Sequence, residues 1–397
     1  MKLSTRAGRV VPSPTLSITA TAKSMKAKGI DVLDFASGEP DFDTPQPIKD
    51  VGIAAIQSGF TKYTASSGID ELRDAVIEKL KREQGLQFER GQVLVSCGAK
   101  HSLYNLFQAV IDPGDEVIIP TPFWVSYQDQ VLLNDGTPVF LRTDERDGFA
   151  IDRAALEAVI TPRSKAIVVN SPCNPTGATY SRATLEAIAD VACRHNLLIV
   201  SDEIYEKIRY DGVEQIGIAT LSPEVARRTV IVNGVSKSYA MTGWRIGYAA
   251  GPKDVLTAMA NIQSQSTSNP TSIAQKAAVA AMRLDDAVVE AMVTEFDRRR
   301  KAIVERLNGM PGVTCRLPTG AFYAFPNVSA VLGRHVNDQA LNTPADISTY
   351  LLAEAKIAVV PGEPFGSMEH IRLSYATGLE TIHRGMDRMD AALRRLQ

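Results

Sequence analysis

From about residue 93 to residue 251, short runs rich in valine and isoleucine alternate with amphipathic stretches of helical length. The runs 93–97, 116–120, 166–170, 197–201 and 229–233 have the length and unbroken apolar character of strands buried on both faces. Between such runs, 100–111 and 181–195 place their apolar residues at helical spacing. The alternation predicts an α/β fold, with a mainly parallel sheet covered by helices on both faces. Ligands of such sheets sit beyond the carboxyl ends of the strands, so the residues just after each run are where chemistry is expected.

Further along, 271–307 reads as helix with a break near Leu284-Asp285-Asp286. The texture then changes to short strands at 313–317, 321–325, 358–360 and 371–374, flanked by helices near 344–355 and 379–396. That pattern predicts a smaller α+β domain. The first 45 or so residues carry Pro12, Pro14, Pro40, Pro45 and Pro47, too many interruptions to start the sheet, and are expected to pack with the C-terminal part. The basic cluster Arg298-Arg299-Arg300-Lys301 falls in a helical pattern and is expected to form a solvated face.

Composition narrows the function classes. At 397 residues the chain exceeds one small domain, and 45% hydrophobic with 22% charged residues is ordinary for a globular protein with a large core. Lys and Arg total 43 against 45 Asp and Glu, so no global field holds a nucleic acid or an anionic membrane, although a local cationic pocket is compatible with that balance. The longest apolar runs are strand-sized, well short of the ~20 residues that span a bilayer. No signal-peptide core follows Lys2, Arg6 and Arg9. The four cysteines show neither C-x-x-C pairing nor zinc spacing and the five histidines are scattered, so reduced thiols in a cytoplasmic protein without a metal site are expected.

The most informative stretch follows the run 229–233: Gly234-Val-Ser-Lys-Ser-Tyr-Ala-Met-Thr-Gly-Trp-Arg-Ile-Gly247. Lys237 is one of few cations among small and apolar neighbours, a setting that lowers a lysine pKa and suits Schiff-base chemistry. Arg245 lies between Gly243 and Gly247, which permit close backbone packing. A surface turn with two unrelated cations is the competing reading of these residues alone. The stretch resembles the pyridoxal-phosphate attachment motif of class I aminotransferases. The similarity runs from about Ser13 to Ala376 and is strongest to the bacterial aspartate aminotransferase branch that includes prephenate aminotransferases.

That resemblance implies a fold type I transferase with a mainly parallel seven-stranded sheet. It also implies a large pyridoxal-phosphate domain over 46–285 and a small domain made of 1–45 and 286–397. Lys237 is then the lysine that carries the cofactor, and Arg245 a phosphate ligand. Asp202, in Ser201-Asp-Glu-Ile-Tyr-Glu206, becomes the anion against the pyridine nitrogen, with Glu203 the competing carboxylate; a helix cap is the plain alternative. Tyr205 and Asn174 reach the cofactor's phenolic oxygen, and Asn174 also lies beside the substrate carboxylate. Gly98, Ala99 and Lys100 cradle the phosphate at a helix start. Trp124 stacks on the ring, though it suits a core equally well. Tyr63 reaches the phosphate of a neighbouring subunit, which makes the site complete only in a homodimer.

Arg372, within an apolar strand, is costly to bury unpaired. The family gives it the substrate α-carboxylate, against the alternative of an internal ion pair, and Gly38 lets the backbone approach the same end. The peptide bonds Thr121–Pro122 and Asn174–Pro175 are expected to be cis. Two positions depart from the family pattern: Cys173 replaces asparagine and Ala65 replaces proline. For the distal end of the substrate the candidates are Ser13, Thr15 and Lys100, with Lys100 left open between phosphate and substrate. Prephenate-active relatives carry lysine where this chain has Val11, which favours aspartate with 2-oxoglutarate in a ping-pong exchange. Prephenate, aromatic or other amino acids, or a β-lyase reaction, are the alternatives. A non-enzymatic regulator of this fold carries an added DNA-binding domain, for which no segment is evident here.

Overall fold

Seven strands form the main sheet: β1 (Val93–Ser96), β2 (Glu116–Thr121), β3 (Thr137–Arg142), β4 (Ser164–Asn170), β5 (Leu198–Asp202), β6 (Thr229–Gly234) and β7 (Gly247–Ala250). Their order is β1-β7-β6-β5-β4-β2-β3. Only β7 runs antiparallel to its neighbours; the other pairings are parallel. The computed structural model describes residues 3–10, 12, 14–336 and 339–397, with the backbone alone at 14–16 and 339. Among the described residues no helix is long and apolar enough to cross a membrane.

The period of two along each strand sends alternate residues into opposite layers. Leu94, Val117, Ile119, Val200, Val230 and Val232 pack with helices Ala99–Val110 and Lys253–Ser266 on one face. Ile118, Ile167, Val169 and Ile199 pack with helix Arg182–Arg194 on the other. Val93, Val95, Ile231 and Tyr248 extend that second face beneath helices Asp70–Gln84 and Ser272–Met282.

Two sheet strands, β3 and β7, were not legible in the hydrophobic pattern. β3 is the outer edge strand, largely solvent-facing, and contains Pro138, which an edge tolerates. β7 is Gly-Tyr-Ala-Ala, weak in strand propensity yet fully buried between β1 and β6. Glycine is required at 247: a Cβ there would lie 2.2 Å from the Ala99 amide nitrogen.

The helical break falls as expected, between Ser272–Met282 and Asp286–Asn308, with the Asp285 side chain accepting from the Ala287 N–H. Beyond it, Val360–Pro361, Ile371–Ser374 and Tyr323–Ala324 form an antiparallel sheet. The N-terminal segment joins this part of the molecule, because Leu33–Asp34 pairs in parallel with Ile357–Ala358. Residues 313–317 do not form the expected strand and make only an isolated bridge at Thr314. Asn308 explains why: its side-chain amide donates to the Cys315 carbonyl at 3.0 Å and accepts from its N–H at 2.7 Å, taking the groups a ladder needs.

The basic cluster is only half solvated, which corrects the sequence expectation. Arg298 and Lys301 are exposed, but Arg299 is buried against Asp41 and Glu295. The Arg300 side chain is 0% exposed and pairs with Asp211 and Asp297. Helical spacing accounts for this, since Arg300 shares the inward stripe of Phe296, Ile303 and Val304.

Candidate active site

Beyond the carboxyl ends of β2, β4, β5 and β6 lies a cavity of about 400 Å³, closed on its far side by residues 37–39, Tyr323 and Arg372. Lys237, Asp202, Tyr205, Asn174, Trp124, Ala99, Lys100, Arg245, Gly38 and Arg372 all line it. Sites predicted from separate stretches of sequence thus converge on one space.

Lys237 stands three residues after β6 ends, and its Nζ donates to the Gly38 carbonyl at 2.6 Å. Burial lowers its pKa to about 8; the cations Arg372, Arg245 and Lys100 push the same way, and Glu39 opposes them. Asp202 closes β5 and is buried, accepting from the Tyr127 hydroxyl at 2.5 Å and from the Ile204 N–H at 3.2 Å. Burial raises its carboxyl to about 6 despite those donors. Strand alternation turns Glu203 away from the cavity, where its carboxylate accepts from Ser201 and Gln84. Of the two adjacent carboxylates, Asp202 is the one that reaches the site.

Arg372 is 2% exposed, on the strand Ile371–Ser374. Its two terminal nitrogens donate to Asn174 Oδ1 and to the Ala36 carbonyl, both at 2.9 Å, while Nε has no partner. The internal ion pair considered from sequence is not present: among the described residues no carboxylate pairs with Arg372. A buried guanidinium held by neutral acceptors alone leaves a charge to be satisfied by whatever enters the cavity. Asn174 is fixed in turn, its N–H donating to Asn170 Oδ1 at 3.0 Å. Gly38 sits tightly here, since a Cβ on it would lie 3.0 Å from the Tyr323 hydroxyl.

At the opposite end, helix Ala99–Val110 begins directly after Gly98, whose φ of 92° and lack of a side chain leave the helix start uncapped. A Cβ at Gly98 would lie 2.3 Å from Arg245 Nη2, so only glycine lets the guanidinium lie across this turn. Arg245 donates to the Thr242 and Cys97 carbonyls at 2.9 and 3.2 Å. Gly247 provides the expected close packing, whereas Gly243 faces open space. Lys100 Nζ lies 4.9 Å above the Trp124 ring, its pKa lowered by burial and then by Arg245. Two cations and a helix N-terminus therefore form an anion-binding end.

The Thr121–Pro122 and Asn174–Pro175 bonds are cis as expected, and Ser171–Pro172 is a third. Cys173 is buried with its Sγ toward the Pro122 carbonyl at 3.8 Å, outside the cavity lining, so its departure from the family pattern leaves the lining unchanged. Tyr63 is 91% exposed and does not reach the cavity of its own chain. Ser13 and Val11 lie outside the described residues; Thr15 is placed in helix Pro14–Ala27 by its backbone alone.

The family model of class I and II aminotransferases matches residues 30–389. The chain belongs to that family. This aminotransferase is 50% identical over 392 residues to a protein named aspartate aminotransferase from Geobacillus stearothermophilus, covering 98% of each chain. It is 48% identical over 396 residues to an aspartate/prephenate aminotransferase of Nitrosomonas europaea, covering 99% of this chain and all of that one. Its fold matches a crystal structure of an aspartate aminotransferase from Rhizobium meliloti with a TM-score of 0.96, at 44% identity and full coverage of both.

The aminotransferase cavity also holds residues that sequence reasoning passed over. Tyr127 lies three residues after Trp124 and Asn170 four before Asn174, and their contacts to Asp202 and Asn174 were the missing information. Tyr323 had a weaker signal, an aromatic in a short strand, and only its pairing beside Arg372's strand brings it to the site. Thr19 and Lys23 reach the wall from helix Pro14–Ala27, whose sequence carries no motif.

Proposed function

We propose that this aminotransferase moves the amino group of L-aspartate to 2-oxoglutarate, giving oxaloacetate and L-glutamate, in a ping-pong exchange on pyridoxal 5'-phosphate held by Lys237. The observation that carries the reading is the buried, unpaired guanidinium of Arg372 in the same cavity as Lys237, with Lys100 across from it on the Trp124 ring. Arg372 answers an α-carboxylate, and Lys100 stands open between the cofactor phosphate and a distal carboxylate; the names of the relatives favour aspartate. The relative named aspartate/prephenate aminotransferase keeps prephenate as a second acceptor to test.

The residues fit the cofactor. Asp202 is a buried carboxylate with no cation paired to it among the described residues, which suits the pyridine nitrogen. Arg245, Gly98, Ala99 and the helix start suit the phosphate, and Tyr205 with Asn174 suits the phenolic oxygen. Bound pyridoxal phosphate supplies an aldehyde to take up the amino group and a protonated ring to draw electrons from Cα. Arg372, Asn174 and Gly38 hold the substrate carboxylate and set the Cα–H direction. Lys237, once released, takes the proton from Cα and later returns one as general base and acid. Lys100 over Trp124 stays open between the phosphate and the substrate's distal carboxylate, for which Ser13 and Thr15 are the other candidates.

We also assign residues 46–285 to the cofactor-binding domain and 1–45 with 286–397 to the small domain, supported by the pairing of Leu33–Asp34 with Ile357–Ala358. A homodimer with Tyr63 shared between sites accords with the exposure of Tyr63, Ile53 and Ile56. A cytoplasmic location accords with four free cysteines.

L-Aspartate added alone to the purified holoenzyme should bleach the cofactor's visible band, and 2-oxoglutarate should restore it. Conversion by an aromatic amino acid but not by aspartate would keep the cofactor and overturn the substrate; prephenate in place of 2-oxoglutarate tests the second acceptor. A separate expectation follows from Lys237. Its lowered pKa enlarges the neutral-amine fraction near neutrality, so cofactor uptake by the cofactor-free protein should accelerate through pH 8 and level off by about pH 9. A rate still climbing toward the ordinary lysine value of about 10.4 would show that burial does not act on this amine.

A further inference from the structure

Tyr323 is buried in the cavity's far wall and touches both halves of the site. Its hydroxyl lies 2.8 Å from the Tyr205 hydroxyl. Its ring carries the Arg372 guanidinium 4.5 Å above the centroid, and its oxygen bounds the space over Gly38. It is therefore a side chain that contacts both the phenol proposed for the cofactor and the cation proposed for the substrate. The strand register makes this possible, because Tyr323 pairs with Ser374, two residues beyond Arg372 on the neighbouring strand.

We propose that Tyr323 is a positioning residue that fixes the proton direction of Tyr205 through its hydroxyl and the plane of Arg372 through its ring. The inference rests on the cofactor reading given above. A phenol has one proton to donate. When Tyr205 spends it on the cofactor's phenolic oxygen, the Tyr205–Tyr323 bond can persist only with Tyr323 as donor and Tyr205 as acceptor. Hydrogen bonds in series polarise one another, so donation from Tyr323 strengthens donation by Tyr205. The ring acts separately. Its negative face stabilises a guanidinium that lacks a carboxylate and whose Nε is unpartnered, and holds the two terminal nitrogens in the plane that Asn174 Oδ1 and the Ala36 carbonyl define.

The two actions separate by substitution. Tyr323→Phe removes the hydroxyl and keeps the ring; Tyr323→Leu removes both. Donation from Tyr205 favours the more anionic, unprotonated form of the bound cofactor, so weaker donation raises the pH midpoint of the cofactor band. In Tyr323→Phe holoenzyme that midpoint should rise by about 0.3–0.5 pH unit, with the KM for aspartate within about twofold of the parent. In Tyr323→Leu the midpoint should rise equally and the KM should also rise about tenfold. Phenylalanine thus rescues KM and not the band, a split that a loss of packing does not produce. An unchanged midpoint in Tyr323→Phe, against a parent that titrates normally, overturns the proton-direction role. Equal KM values in the two variants overturn the ring's role. A parent enzyme with no cofactor band at all overturns the cofactor reading itself.

Discussion

Lys237→Ala leaves a folded protein whose transamination rate has fallen by at least about 10⁴-fold, the upper range for losing a positioned acid–base group. The fold survives because Lys237 anchors little: its side chain makes one hydrogen bond, to Gly38, and its protonated form is already disfavoured by burial. The activity goes because the cavity's other amines among the described residues belong to other elements: Lys23 sits on helix Pro14–Ala27. Lys100 is held over Trp124, and Arg245 and Arg372 are guanidiniums, which do not give up protons in this pH range. Thermal melting beside a steady-state assay checks both halves. Turnover near that of the parent sinks the assignment of Lys237.

Arg372→Leu should lower kcat/KM for every amino acid tested by about 10³-fold while the protein still holds its cofactor. The size follows from removing a charge-assisted, two-pronged contact in a desolvated site, worth several kcal/mol when one partner of a buried pair is deleted. The loss is general because the contact is to the carboxylate that all substrates share. Parent and variant should both retain the cofactor, since the Arg372 side chain bonds to Asn174 and Ala36 and leaves the phosphate end at Arg245 and Gly98 untouched. An effect confined to dicarboxylic substrates would instead assign Arg372 to the distal end. In that case Lys100 would take the α-carboxylate.

The strands that position the site were legible because each is a short apolar run, and motif residues fall just past their ends: Asp202 closes β5 and Lys237 follows β6. What escaped was set by neighbours rather than by local pattern. β7 is buried although three of its four residues are poor strand formers, and its Gly247 packs against the Gly98–Ala99 turn, where no side chain fits. Arg300 looks like surface in a basic run, yet the stripe through Phe296 and Ile303 carries it inward to Asp211 and Asp297. Glu203 and Asp202 are equivalent as letters, and only strand alternation separates them. Tyr323 needed the third dimension altogether, since its partners Tyr205 and Arg372 are brought to it by two different sheets.

The pairing of Leu33–Asp34 with Ile357–Ala358 has a consequence for biosynthesis. The two partners are roughly 320 residues apart, which a ribosome covers in about 15–65 s. For that interval the emerging N-terminal segment has no strand to join, and Ala36, which holds Arg372, waits with it. The parallel core from β2 to β6 can form during synthesis, whereas the far wall of the cavity closes only after the last strands leave the tunnel. A nascent chain stalled before residue 357 would present a formed sheet with a free leading arm, open to chaperones or to pairing with another copy.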